Sequence, residues 1–103
     1  GHPFNKEAVE KALAMLGIDD LGLSPADRKL LGVIAEKFSG GPVGLGTLSA
    51  ALSEEEATIE EFNEPYLLQL GLIERTSRGR LATPRAYEHL GFDVPEDTQR
   101  KLL

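Results

Sequence analysis

EPYLLQLGLIERTSRGRLATPRAYEHLG, residues 64–91, decides the fold of this 103-residue chain. Residues 72–76 and 80–83 have the composition of two short strands, and Gly79 supplies the positive φ that a tight turn between them favours. Apolar residues at helical spacing precede this hairpin, and Thr83-Pro84 can begin a final helix after it. A hairpin between a helical run and a closing helix is typical of the wing of a winged helix.

The first two helices can be placed from their caps. Asn5 is a suitable N-cap for the first helix, which Gly17 ends. Ser24-Pro25 is a strong start for the second helix, which stops at the glycine pair 40–41. The segment 41–44 is too irregular for a helix and is expected to hold a short extended piece.

Two more helices are predicted between this extended piece and the hairpin. Leucines at helical spacing define the first over residues 45–52. Either Ser53 or Thr58 opens the second, and Pro65 within it removes a backbone hydrogen bond, so this helix should kink or split near Asn63. The predicted fold is mainly α with a small β-hairpin wing, a winged helix-turn-helix preceded by one extra helix.

Length and composition indicate one domain of ordinary size. We divide the chain into residues 1–20, which hold an expression remnant and the extra helix, a winged-helix domain at 21–92, and a polar tail at 93–103. The chain has no cysteine, so disulfides and thiolate metal sites are excluded. We find no signal peptide and no apolar run of membrane-spanning length, and expect a cytoplasmic protein without a membrane partner.

Charge is distributed unevenly along a chain whose net charge is −6. Residues 53–64 carry six glutamates and no cation, whereas residues 72–85 carry four arginines and one glutamate. Overall acidity argues against a protein that coats nucleic acid. The concentration of cations on the hairpin instead indicates a local contact with an anionic partner.

Three arginines mark the hairpin as a candidate DNA contact. Arg75 and Arg80 flank the predicted turn and Arg78 lies within it, so we expect all three to project from one tip. The planar guanidinium donates two hydrogen bonds to one oxyanion and keeps its charge at every physiological pH. The alternative is that these arginines have no binding role and only keep an exposed hairpin tip soluble.

Thr76 and Gly79 belong to the same turn and complete the predicted DNA-binding set together with Arg85. Arg85 lies on the first turn of the final helix, where a cation opposes the helix dipole. An ion pair between Arg85 and Glu88 is an equally good interpretation of that position.

The helix in the recognition position carries carboxylates where a base-reading helix would carry Arg, Lys, Asn or Gln. Binding should therefore be independent of DNA sequence and directed at the backbone. Glu56, Glu60 and Glu64 share one helix face at i, i+4 spacing, but no His or Asp is seen to converge on them, so a solvated helix face is the preferred interpretation over a metal site. An alternative function is a protein-interaction winged helix that docks a basic partner through this acidic helix.

We find no catalytic constellation. The glycine-rich segment 40–46 lacks the Lys-Ser/Thr pair of a nucleotide loop, and His89 stands alone beside Tyr87. We therefore expect no enzyme activity, no metal and no cofactor in these 103 residues.

The chain resembles a known family over most of its length, from about Val9 to Phe92. The motifs on which the resemblance rests are GGPVGL, EPYL after an acidic helix, RT-x-RGR in the wing, and AT-x-x-AY-x-HLG after the wing. They resemble the C-terminal domain of the RuvB family of Holliday-junction branch-migration motors, and LGIDDLGLSPADRKLL resembles the same family's passage out of its ATPase lid.

The resemblance implies part of a hexameric AAA+ ATPase, an ATP-dependent DNA helicase of bacterial recombination, repair and the SOS response. It implies that duplex or junction DNA is the partner, that Arg75 and Arg80 contact it, and that the first helix is the last helix of the lid. The ATP and magnesium sites, and the docking surface for the RuvA partner, would lie in an ATPase region missing from these residues. Without that region we expect a monomer or weak dimer.

Two positions depart from the family pattern. Ser77 replaces a usual proline and should loosen the wing slightly. Glu56 replaces a residue that is basic in many relatives, so a secondary phosphate contact there is not expected. Loss of binding in an Arg75→Ala/Arg80→Ala double variant would distinguish the DNA-binding function from the docking alternative.

Overall fold

The computed structural model describes residues 5–96. Its elements are α1 (Lys6–Met15), α2 (Pro25–Gly32), α3 (Leu45–Leu52), α4 (Glu56–Thr58), α5 (Glu64–Gln69), β1 (Ile73–Thr76), β2 (Gly79–Ala82) and α6 (Pro84–Leu90). The predicted mainly α-helical winged helix with one extra helix is confirmed. Residues 1–4, where an expression remnant was expected, and the part of the predicted tail beyond residue 96 lie outside the described residues.

Side-chain caps set the starts of α1, α2 and α6 as predicted. Asn5 accepts hydrogen bonds from two backbone N–H groups at the start of α1, and Thr83 accepts one from Ala86 at the start of α6. Ser24 and Asp27 form a reciprocal capping box at α2. These local interactions satisfy backbone donors that have no partner within the helix.

The start of the acidic helix was predicted wrongly. Neither Ser53 nor Thr58 opens it, because Ser53 adopts a left-handed conformation (φ 53°) that ends α3. Glu55 is the N-cap instead, and α4 begins at Glu56. Between the left-handed Ser53 and the first helical residue, Glu56, the chain passes through the extended Glu55, so the new helix cannot begin at Ser53 itself.

The predicted split near Asn63 is confirmed. A π-helical turn, Ile59–Asn63, separates α4 from α5, and α-helical geometry resumes at Glu64 with Pro65 in its first turn. Proline has no N–H and is tolerated in a first helical turn. A second π-helical turn, Val33–Lys37, extends α2.

One hydrophobic core holds the domain together and positions the wing. Its fully buried leucine and isoleucine side chains come from α2, α3, the acidic helix and β1, and they are joined by Leu23, Ala82, Ala86 and Tyr87. Burial of each large aliphatic side chain contributes about 1.5–3 kcal/mol. The wing is thus attached to the helices through Ile73 on β1, Leu72 just before it, and Ala82 on β2.

The extended piece predicted at 41–44 is confirmed and pairs with the wing. Val43 donates a backbone hydrogen bond to the Arg80 carbonyl (3.0 Å) and accepts one from the Arg80 N–H (2.8 Å). Gly79 (φ 133°) lies so close to Val43 that a Cβ atom there would collide with the Val43 carbonyl. This backbone contact fixes the direction in which the hairpin leaves the domain.

The extra helix α1 buries none of its residues: its apolar residues Val9, Leu13 and Met15 are exposed, as is Leu16 at its C-terminal end. Within residues 5–96, no helix is long and apolar enough to cross a membrane.

Asp19 anchors the loop that follows α1. Its Oδ1 accepts from the amides of Leu21 and Leu23, and its Oδ2 lies 2.8 Å from His89 Nε2 and 3.4 Å from Arg28 Nη1. Burial alone would raise the pKa of Asp19, but the hydrogen bonds from His89 and the two amides outweigh it and lower that pKa. The isolated histidine noted in the sequence thus has a structural partner.

Candidate nucleic-acid interface

The wing (β1, β2 and the turn between them, residues 73–82) presents its arginines in two separate places. Antiparallel register pairs Arg75 directly with Arg80, so both side chains lie on the same face of the hairpin. Arg78 lies in the two-residue turn that joins the strands. The three arginines are close in sequence, but only one of them is at the end of the hairpin.

Both strand arginines reach the carboxylate of Glu64, whose side chain is only 2% exposed. Arg80 Nη2 lies 3.0 Å from Glu64 Oε1, and its Nε donates to the other carboxylate oxygen. Arg75 Nη2 lies 3.3 Å from Oε1. We call this cluster, completed by Glu60, the wing base; it ties α5 to both strands of the wing.

Arg80 is mostly buried, with 15% of its side chain exposed. The hydrogen bond to Glu64 raises the pKa of Arg80. Burial acts in the opposite direction, but the negative charges of Glu64, Glu60 and Glu56 raise this pKa further. The expectation that all three arginines project from one tip is therefore wrong for Arg80. A buried carboxylate must be paired, and the bidentate guanidinium is the partner that the fold brings to it.

Arg75 occupies an intermediate position. Half of its side chain (49%) is exposed, and besides Glu64 it contacts Glu60, whose Oε1 lies 3.6 Å from Arg75 Nη2. Glu60 is itself 52% exposed. Arg75 therefore contacts two different carboxylates, the buried one of Glu64 and the half-exposed one of Glu60.

The wing tip (residues 76–79) holds Arg78 in an open environment. Arg78 is exposed and forms no ion pair with any residue in the described part of the chain. Thr76 Oγ1 accepts from the Arg78 amide (3.2 Å) and donates to the Gly79 carbonyl (2.9 Å). Thr76 and Gly79 thus shape the turn, and Arg78 supplies its charge.

Arg85 is exposed on the first turn of α6. Across residues 5–96, neither Arg85 nor Glu88 takes part in an ion pair, so the proposed Arg85–Glu88 contact is absent.

The interpretation of the acidic helix as a solvated face is wrong for Glu64 and incomplete for Glu60. Glu64 is buried, and Glu60 pairs with Arg75. One signal in the sequence could have identified Glu64: it precedes the core residue Leu67 by three positions and so lies beside a core position on the helix. The glutamates 54, 55, 56 and 61 are exposed, as expected.

Comparison with known proteins identifies the same domain. A family model described as RuvB C-terminal winged helix domain matches residues 20–91. The Holliday junction branch migration complex subunit RuvB of Rubrobacter xylanophilus is 60% identical over 91 residues, which cover 88% of this chain and 26% of the relative. Its namesake from Chloroflexus aggregans is 63% identical over 88 residues, covering 85% and 25%. The chain spans about a quarter of the length of these relatives.

Solved structures agree. The Thermotoga maritima RuvB Holliday junction branch migration motor superposes with a TM-score of 0.86 at 50% sequence identity, covering 88% of this chain and 30% of that one. The two chains are therefore similar in sequence as well as in fold.

Proposed function

The chain belongs to the family of RuvB C-terminal winged helix domains, and we propose that it binds the DNA backbone through its wing, as the DNA-holding domain of a branch-migration motor. The observation that carries this proposal is Arg78, which is exposed at the end of a hairpin on a chain of net charge −6 and has no ion pair within residues 5–96. The half-exposed Arg75 and the exposed Arg85 extend the contact.

Binding through the wing should be independent of base sequence. The helix that would enter the major groove in a sequence-specific factor exposes Glu56 and Glu61, and Glu54 and Glu55 are exposed just before it; these carboxylates repel phosphates. Asn63, an amide that can read bases in other proteins, donates instead to Asp27 (2.8 Å). Phosphate contacts position a protein on DNA without carrying sequence information.

We further propose that this domain works within a larger motor, as the names of its relatives indicate. In this proposal, the ATP and magnesium sites of the motor and its contact with a RuvA-type partner belong to an ATPase region outside these 103 residues. In a homohexamer, several wings would act on one duplex, so weak single contacts would combine into firm attachment. The 103 residues alone should bind with a Kd of about 10⁻⁴ to 10⁻⁶ M, the range of non-specific binding.

The experiment is fluorescence anisotropy of labelled duplex DNA at a series of salt concentrations, comparing the parent chain with Arg78→Ala. Removing one phosphate contact should weaken binding severalfold and reduce the slope of log affinity against log salt by about one. Lys29→Ala is the matched control, since Lys29 is an exposed cation on α2 without an ion pair in the described residues. Its salt slope should equal that of the parent.

Arg78 is a better test than the double substitution of Arg75 and Arg80. Removing Arg80 would leave the buried Glu64 carboxylate without its main partner, so lost binding could reflect an unfolded domain. Equal binding by Arg78→Ala and Lys29→Ala would contradict the proposed wing contact.

One observation supports the alternative of a protein-docking winged helix. Phe62 is 75% exposed beside Glu60 and Glu61, an arrangement that suits a basic partner with an apolar residue at its centre. A docking module would bind DNA with no dependence on Arg78.

A further inference from the structure

We infer that Glu60 sets the DNA affinity of the wing by competing with phosphate for Arg75. This inference rests on the proposed DNA-binding function and adds a regulating residue to it. The two carboxylates around Arg75 differ in the property that matters, which is access to solvent. Glu64 is buried beneath the wing, whereas Glu60 is half exposed at its edge.

The contact geometry gives the two glutamates different roles. Both reach the same atom, Arg75 Nη2, Glu64 at 3.3 Å and Glu60 at 3.6 Å. Glu64 is also held by the bidentate pair with Arg80 and cannot leave without breaking it. Glu60 contacts no other cation in the described part of the chain, so its side chain is free to swing away.

The surface around Arg75 shows what an arriving phosphate meets. A depression beside Arg75 is lined by Glu60, Glu61, Glu64, Pro65 and Leu68. A phosphate that approaches Arg75 Nη2 through this depression must therefore displace the Glu60 carboxylate or lie against it. Ion pairs between exposed side chains are weak, so displacement is feasible but lowers the affinity of the complex.

Within residues 5–96, no carboxylate pairs with Arg78 to compete in this way. Its contact with phosphate needs no prior rearrangement, whereas the contact of Arg75 does. The wing thus combines one open cation with one masked cation. The mask keeps the hold of each single domain weak, which permits rapid release from DNA where several domains share the load.

The test compares Glu60→Gln with Glu61→Gln by the same anisotropy titration. Both variants remove one negative charge from neighbouring positions on the same depression, but of the two residues only Glu60 pairs with an arginine in the described part of the chain. Glu60→Gln should bind duplex DNA about two- to fivefold more tightly at low salt, which is the strength expected of an exposed ion pair. Glu61→Gln should give a clearly smaller gain.

The double variant Glu60→Gln/Arg75→Ala identifies the mechanism. If Glu60 acts by masking Arg75, then Glu60→Gln gives no gain in a background that lacks Arg75. Equal gains from Glu60→Gln and Glu61→Gln, or a gain that persists without Arg75, would show general charge repulsion and overturn the inference.

Failure of the inference and failure of the proposed function give different results. If Arg78→Ala weakens binding while Glu60→Gln changes nothing, the wing binds DNA and the mask does not exist. If Arg78→Ala also has no effect, the wing contact itself is wrong and the inference falls with it. Thermal unfolding of each variant, expected to match the parent for Glu60→Gln and Glu61→Gln, confirms that folded domains are being compared.

Discussion

The base and the tip of the wing use the same residue type for opposite purposes. At the base, Arg80 is mostly buried and pairs with a buried carboxylate on α5. At the tip, Arg78 is exposed and has no ion-pair partner in the described residues. Only Gly79 lies between these two arginines in the sequence. Their roles differ because the fold brings the Glu64 carboxylate of α5 to Arg80 on β2.

This difference separates stability from binding within one hairpin. A buried ion pair adds little net free energy when intact but is costly to break from one side, because the remaining charge is left without water or a partner. An exposed arginine has almost no effect on folding and remains available to a ligand. Substitutions of the buried pair Arg80 and Glu64 should therefore change stability, and substitution of Arg78 should change DNA binding.

The largest expected effect is that of Glu64→Ala. It leaves Arg80 buried without a counter-charge and should lower the free energy of unfolding by about 3–5 kcal/mol. Urea denaturation followed by circular dichroism measures this change. Glu64→Gln keeps the shape and one hydrogen-bond acceptor, so its loss should be smaller.

Arg80→Ala removes the same pair from the other side and provides the control. Its cost added to that of Glu64→Ala should exceed the cost of the double variant, because the second substitution removes a charge that is already unpaired. If the two losses of unfolding free energy simply add, the two side chains do not stabilise each other. That result would contradict the assignment of the wing base as a structural ion pair.

Gly79→Ala should have the next largest effect. Its backbone has a φ of 133°, and a Cβ atom would collide with the Val43 carbonyl. We expect destabilisation of about 1–3 kcal/mol from strain at this position, measured by thermal unfolding.

Gly32→Ala is the matched control for Gly79→Ala. Gly32 has helical geometry (φ −62°) and open space around its Cβ position. Alanine there should stabilise the domain by up to about 1 kcal/mol. Equal destabilisation by both substitutions would contradict the view that the wing is fixed by its contact with Val43.

Most of the fold could be predicted because its signals are local. The Ser24 capping box, the Thr83 cap and the turn at Gly79 each act within a few residues of the chain. The start of the acidic helix was missed because Ser53, a good N-cap in sequence, ends the preceding helix in a left-handed conformation.

The wing base could not be predicted in the same way. Its contacts join residues 11 and 16 positions apart, on a helix and a hairpin whose relative placement the sequence does not state. Helical spacing correctly puts Glu60 and Glu64 on one side, where both reach Arg75 Nη2, but it does not show that Glu64 is buried and Glu60 half exposed. The positions of the arginines were therefore visible in the sequence, but their division into paired and free residues was not.

Ser77→Pro tests the tip with a smaller expected change. Ser77 is not among the residues with positive φ, and its amide makes no backbone hydrogen bond in the described structure. Proline restricts the unfolded chain, so we expect stabilisation of about 0.4–1 kcal/mol. A decrease in melting temperature would mean that the turn needs the freedom that serine gives.

The smallest expected change in stability is that of Arg78→Ala, within about 0.5 kcal/mol of the parent. Arg78 contributes no ion pair in residues 5–96, and its amide hydrogen bond to Thr76 does not involve the side chain. Measured by urea denaturation on the preparation used for the DNA titration, an unchanged unfolding curve would assign any loss of affinity to the lost contact. Destabilisation approaching that of Arg80→Ala would instead mean that tip and base form one structural unit, and that stability and DNA binding cannot be varied separately in this hairpin.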